Sequence, residues 1–306
     1  MIMSETTNKT ISEAERAARR AKYKKKSEFV TVWRQFRKNK LALFGLFIII
    51  VMLTIAITAP LFINYETDVI EQHVTERLQG PSAAHWLGTD AYGRDILSRL
   101  LWAARVSMFT GFAVIVIALI GGTALGATAG YLGGVVDNII MRFIDIFLAI
   151  PFTLMAISIV ATLGNSIPNL LLALSLSLIP KFTRIIRSSV IGLKGQEFIE
   201  AAKLCGASGP VIVLKHIIPN ALGPIIVEGT LAVARTIIDI AGLSFIGLGI
   251  QPPNPEWGAM LSDARKYMIQ YPYLIMSPGL AIVLTAASLT LIGDGLRDAL
   301  DPKMRT

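Results

Sequence analysis

The sequence predicts an all-α integral membrane protein with six transmembrane helices, and three observations carry that expectation. More than half of the 306 residues (53%) are hydrophobic and only 16% are charged, a balance too apolar for an ordinary water-facing surface. The apolar residues gather into runs near the roughly twenty residues needed to cross hydrocarbon. The basic residues behind the net charge of +8 crowd into 1–40 and 181–215. They flank apolar runs there, a pattern that orients a membrane protein and gives no reason to expect nucleic acid as a partner.

Taken in order, residues 1–30 are polar, and Arg16, Arg19, Arg20, Lys22, Lys24, Lys25 and Lys26 repel one another, so this arm is read as mobile or interfacial. Residues 28–40 interleave Phe29, Val32, Trp33 and Phe36 with Arg34, Arg37, Lys38 and Lys40, the spacing of an amphipathic helix lying on a membrane surface. A secretory signal is excluded, because the basic run from Arg16 to Lys40 precedes a first apolar segment long enough to span. Spans are expected at 41–63, 106–131, 139–163, 169–190, 221–248 and 274–296. Lys and Arg are dense before the first, between the fourth and fifth, and after the sixth (Arg297, Lys303, Arg305). The positive-inside rule therefore places both termini in the cytoplasm and the segments 64–105 and 249–273 outside. Pro180, Lys181, Arg184 and Arg187 make the second half of the fourth span polar, so it is expected to leave the membrane near Pro180 as a cytoplasmic helix.

The organisation that follows is a basic arm with its amphipathic helix (1–40), a first span with an extracytoplasmic segment (41–105), a core of five spans (106–298) carrying a loop at 196–220, and a tail (299–306). In the second span, Gly122, Gly126 and Gly130 recur every four residues, with Ala118 one turn earlier. Such a stripe lets another helix approach closely and is read as a packing surface. The loop QEFIEAAKLCGASGPVIVLKHIIPN, Gln196–Asn220, reads as helix, turn, helix. Glu197 and Glu200 lie toward the positive end of the first helix, and Gly206 sits where a left-handed cap would end it. Ser208 is placed to cap the second helix, Pro210 falls near its first turn, and Pro219 closes the unit. The apolar residues Val211, Ile212, Val213 and Leu214 need cover, from a docking partner or from the membrane along which the helix would lie.

The fifth span holds Glu228, Arg235 and Asp239 in apolar surroundings, where ionisable groups face a cavity or pair with each other. Arg235 and Asp239 stand four apart, so an internal ion pair and a place along a pathway both fit. Arg142 and Asp145 read as a local structural pair. His73, His85 and His216 are too scattered to suggest a metal site, and the single cysteine, Cys205, excludes a disulfide framework or a cysteine-based zinc cluster. No G-x-S-x-G elbow or H-E-x-x-H helix occurs, so the chain is not expected to be an enzyme or to bind a cofactor directly.

Glu200-Ala201-Ala202, followed after three residues by Gly206 and then by His216, Ile217, Ile218 and Pro219, resembles the EAA loop of permeases in bacterial ABC importers; Ile218 stands where leucine is commoner. LGTDAYGRDILSR at 87–99, SFIGLGIQPPNPEWGAML at 244–261 and GDGLRDALDP at 293–302 are similar to signatures of the C-type permease of dipeptide, oligopeptide and nickel importers. The likeness extends over nearly everything after about residue 29, with small departures at Ala103, where glycine is frequent, and Thr290, where asparagine is usual. It implies the type I permease fold in a bacterial cytoplasmic (inner) membrane, with the loop serving as a coupling helix. Glu200, Ala201, Ala202, Gly206 and Pro219 would then belong to the contact with an ATPase. The partners it implies are a second homologous permease subunit, two ATP-binding subunits that use the ATP and Mg, and an extracytoplasmic solute-binding protein, all within membrane lipid. No G-x-x-x-x-G-K-[ST] loop is present, so ATP hydrolysis is assigned to another chain. Peptides are the expected cargo, with nickel or haem as alternatives; an autonomous carrier and an intramembrane enzyme rank behind.

Overall fold

Long helices account for most of residues 28–301, the residues described in the computed structural model. The basic side chains expected in the arm at 1–27, and Lys303 and Arg305 of the tail, lie outside the described residues. Helix α1 (Glu28–Phe36) is followed by α2 (Lys40–Phe62), whose start is fixed by Asn39, its Oδ1 accepting from the amides of Leu41 and Ala42 at 3.1 Å each. A wide turn (Tyr65–Ile70) and a 3-10 turn (Val74–Glu76) lead to α3 (Ile96–Leu132), capped by Asp95, which accepts from the amide of Ser98 at 2.8 Å. Then come α4 (Gly134–Leu148), α5 (Phe152–Leu163) and α6 (Ile167–Lys194), which runs unbroken through Pro180. The short α7 (Glu197–Leu204) precedes a single turn (Gly209–Val211), a π turn (Ile212–Ile217) and α8 (Ile218–Phe245). Helices α9 (Trp257–Ala264) and α10 (Tyr273–Leu300) complete the chain.

Five helices are long and apolar enough to cross a membrane: α2, α3, α6, the continuous Gly209–Phe245 and α10. The pair α4 and α5, bent by 84°, makes a sixth span if the two are counted as one. The continuous helix expected over 139–163 is therefore broken, and the cause is local. Pro151 has no N–H to continue the ladder, and proline disfavours helical backbone at the residue before it, Ile150. Pro151 itself is extended, at φ −55° and ψ 131°. The second span also starts earlier than expected, at the Asp95 cap. With 37 residues it is about 55 Å long, against about 30 Å of hydrocarbon, so it projects beyond the bilayer.

Packing follows the small residues. Helix α3 lies along α6 with Gly122, Gly126 and Gly130 at the seam: a β-carbon on Gly122 would stand 2.5 Å from Phe182 Cβ, and one on Gly126 would stand 2.5 Å from the Thr183 carbonyl. The stripe is a packing surface, as its spacing suggested. Gly126→Leu is expected to force the two helices apart at a cost of roughly 1–3 kcal/mol or more, because backbone cannot yield as a side chain can. Gly192→Leu, placed where nothing lies within 4 Å, is the control. The fraction of protein remaining monodisperse after heating in detergent separates the two.

Residues 64–95 and 246–272 gather at one end of the bundle, where Tyr65 Oη donates to Asn254 Oδ1 (2.8 Å) and Tyr273 Oη donates to the Gln79 carbonyl (3.0 Å). Residues 195–217 occupy the opposite end. Amphipathic α1 packs on α10, burying Phe36 beside Gly295 while Trp33 stacks on the Phe36 ring at 5.8 Å.

Candidate functional site

The 195–217 end carries a compact knuckle. Ile199 is fully buried and pins α7 to the bundle, leaving Glu197, Glu200, Ala201 and Lys203 exposed. Gly206 ends the helix at φ +83°, as expected, in a double-bonded cap: its amide donates to the Lys203 carbonyl (2.9 Å) and that of Ala207 donates to Ala202 (3.1 Å). The left-handed backbone there is why glycine is needed.

Two expectations for this loop are corrected. Ser208 makes no side-chain cap; one of the amides such a cap would bind belongs to Pro210, which has none. Nor does Pro219 close the unit. It sits in the first turn of α8, where no donor is required, and the π turn before it carries the helix through, with the Ile218 amide closing on Val213. Of the four apolar residues that needed cover, Ile212 is buried, while Val211 (41%) and Leu214 (67%) remain exposed. Leu204, 89% exposed at the tip of α7, was missed in the sequence. Its signal was available, as a leucine placed just before a helix-ending glycine and directed away from the buried Ile199.

At the other end, Asp90 and Arg94 form a buried frame. Asp90 Oδ2 accepts from Arg94 Nε at 2.7 Å and lies 3.5 Å from Arg99 Nε, and the two arginines are only 4% and 2% exposed. Arg94 Nη2 reaches Asp263 Oδ2 (3.4 Å), and Arg99 Nη1 donates to the Val69 carbonyl (2.9 Å), so three distant segments are tied together. Burial pushes the Asp263 carboxyl above its usual value, against the pull of Arg94 and Arg99. His85 meets Asp95 Oδ2 at 2.9 Å and Glu76 Oε2 at 3.6 Å, linking the loop to the cap of α3. Trp257 is buried, with its indole N–H donating to Leu100 (3.2 Å). Asp90, Arg94 and Trp257 therefore build this end from inside; the exposed aromatic is Trp86, at 73%.

Glu256 is completely buried, with Oε2 capping α9 at the Ala259 amide (2.9 Å) and Oε1 accepting from the Ser107 hydroxyl (3.1 Å). Burial is the largest influence on this carboxyl and raises its pKa, opposed by hydrogen bonds from the Gly258 and Ala259 amides and the Ser244 and Ser107 hydroxyls. The folded chain thus holds this proton more tightly than the unfolded one. Its contribution to stability is complete below the ordinary carboxylate range and is lost as pH rises through the raised value. Melting profiles over that window are expected to fall with pH less steeply in Glu256→Gln; equal slopes would contradict the assignment.

At mid-span the structure adds Lys181 of α6 to the three charges read from the sequence. Lys181 Nζ pairs with Glu228 Oε1, and Arg235 Nη1 lies 3.9 Å from the same oxygen. The alternative pair between Arg235 and Asp239 does not form. A cavity of about 370 Å³ opens here against the α4–α5 break, lined by Pro151, Phe152, Lys181, Arg235 and Asp239 among others. Asp145 pairs with Arg184 (2.7 Å) and not with Arg142, since α4 packs against α6. Asp137 similarly receives both arms of Arg187, at 2.5 and 2.6 Å.

The comparisons give the family of this bundle of membrane-length helices. Residues 122–306 match the binding-protein-dependent transport system inner membrane component family, and residues 27–81 match the N-terminal TM domain of oligopeptide transport permease C. The chain belongs to that family of inner membrane permeases. It is 48% identical over 281 residues to the dipeptide transport system permease protein DppC of Alkalihalophilus pseudofirmus, covering 90% of this chain and 92% of the relative. It is 41% identical over 275 residues to the glutathione transport system permease protein GsiD of Pectobacterium atrosepticum, covering 90% and 91%. A chain from the inward-facing MetNI methionine ABC transporter aligns with 66% of this chain and 98% of its own at 17% identity, with a TM-score of 0.49.

Proposed function

We propose that the chain is the permease subunit of an ATP-driven peptide importer in a bacterial inner membrane, coupled through its knuckle to separate ATP-binding subunits. The observation that carries the reading is the knuckle: a rigid cap at Gly206 holds Leu204 exposed at the tip of α7, beside Glu200 and Ala201. An exposed leucine beside acidic side chains suits insertion into a groove on a soluble partner. In this reading the 195–217 end is cytoplasmic and the Asp90 frame faces outward, toward a solute-binding protein. A second permease of the same family completes the pathway, and ATP and Mg are used by the partners alone. The names of the relatives support di- or oligopeptides as cargo, and nickel or haem would be alternatives within the family. Closure of the ATP-binding subunits would draw the knuckles together and rock α6 and α8, which the loop joins directly.

The test is co-purification from detergent after coexpression with the candidate ATP-binding subunits. They are expected to accompany the native chain and to be lost or uncoupled with Glu200→Arg or Gly206→Pro. If no ATP-binding subunit associates and the purified chain alone moves solute into vesicles, an autonomous carrier replaces this reading.

A further inference from the structure

The mid-span charges are not used up by their own contacts. Arg235 lies ten residues before the end of α8 at Phe245, about 15 Å along the axis at 1.5 Å per residue. It stands in a helix long and apolar enough to cross a membrane, yet its side chain is 64% exposed. Facing lipid there would be costly, so the surface must meet a water-filled cavity or another chain. The α4–α5 break points to the cavity, because interrupted helices at membrane depth are tolerated where they line one. A volume of about 370 Å³ is enough for a small peptide.

Charge accounting then separates the four groups. Lys181 and Glu228 neutralise each other in a direct ion pair, and Arg235 touches that pair only at 3.9 Å. Asp239 takes part in no ion pair or hydrogen bond among the described residues, and it lines the cavity with Arg235. One guanidinium and one carboxylate are thus left lining the same cavity, on residues four apart along one face of α8. A dipeptide carries the complementary pair, one carboxylate and one ammonium.

We propose that Arg235 and Asp239 form a charge-reading site in the pathway, Arg235 receiving the carboxylate of the passing peptide and Asp239 its ammonium. This rests on the placing of α8 along the translocation pathway. The site is a waypoint and not a store: transport requires binding strong enough to admit the solute and weak enough to release it. A zwitterion exchanges its water for one matched pair of partners, whereas a solute with a single charge leaves one of the two unmatched.

The experiment uses the complete importer in proteoliposomes with its binding protein and dialanine as cargo. Arg235→Gln and Asp239→Asn are each expected to lower the maximal uptake rate roughly tenfold, the factor carried by about 1.4 kcal/mol. The half-saturating concentration, set by the binding protein, should not move, and Arg235→Lys should recover most of the rate. An unchanged maximal rate in Arg235→Gln, or an equal loss in Arg235→Lys with the assembly intact, overturns the proposal. The pathway itself is tested separately with Ile238→Cys, on the exposed side of α8, in a Cys205→Ser background, using a water-borne charged thiol reagent. Labelling that dialanine suppresses supports the pathway even if the charge variants transport normally, in which case only the charge reading falls. No labelling in any nucleotide state removes both.

Discussion

Asp90→Ala is expected to destabilise the protein by about 3–5 kcal/mol, the cost of stranding a buried charge by removing its partner. Asp90 Oδ2 serves both Arg94 and Arg99, which are almost completely buried. Without it, Arg94 keeps Asp263 at 3.4 Å and the face of the Tyr92 ring, and Arg99 keeps the Val69 carbonyl. The backbone would suffer as well, since Asp90 Oδ1 accepts from the amides of Tyr92 (2.8 Å) and Arg94 (3.0 Å). Thermal melting in detergent checks this against Glu71→Ala, an exposed acid in the same segment. Asp90→Asn should fall between the two, keeping the shape of the turn while losing the charge. A melting temperature for Asp90→Ala equal to that of the control would show that the frame does not hold this end together.

Disrupting the knuckle should abolish transport while sparing the bundle. Gly206 sits at φ +83° and its amide donates to Lys203. Proline fixes φ near −65° and carries no N–H, so Gly206→Pro removes the conformation and the bond together. The cap is solvent-exposed, with nothing within 4 Å of an added β-carbon, so the membrane helices have no reason to unfold. Leu204→Asp tests the same contact without touching the backbone. Moving a carboxylate into an apolar groove should cost about 2 kcal/mol or more, roughly thirtyfold in affinity for the ATP-binding subunit. Titrating that subunit against the purified variants measures the loss. Retained affinity in both variants would exclude the knuckle as the coupling element.

Much of this was legible in the sequence because the signals were local. The glycine stripe of α3, the left-handed stop at Gly206 and the apolar length of each span depend on neighbours a few residues apart. The features that escaped depend on distance. Lys181 was read only as a polar end to its span, and its pairing with Glu228 appears when α6 and α8 lie side by side. Asp145 was assigned to Arg142, three residues away, and meets Arg184 because α4 and α6 pack together across 39 residues of sequence. The break between α4 and α5 was itself signalled by Pro151 but hidden by hydrophobicity, which is continuous across it. Asp90, Arg94 and Trp257 were placed on the outward segments, but burial depends on packing that a linear reading does not contain. Leu204 is the converse case, an apolar residue in an apolar stretch that the fold leaves exposed.

The central claim, that the knuckle engages an ATP-binding subunit, can be tested with the native chain because its one cysteine lies there: Cys205 is exposed beside Leu204 and Gly206. A short thiol-directed photocrosslinker attached to Cys205 in membranes containing the assembled importer is the direct measurement. The account predicts a single major adduct with the ATP-binding subunit, weakened by Leu204→Asp. Adducts confined to lipid, or to the permease itself, would contradict it.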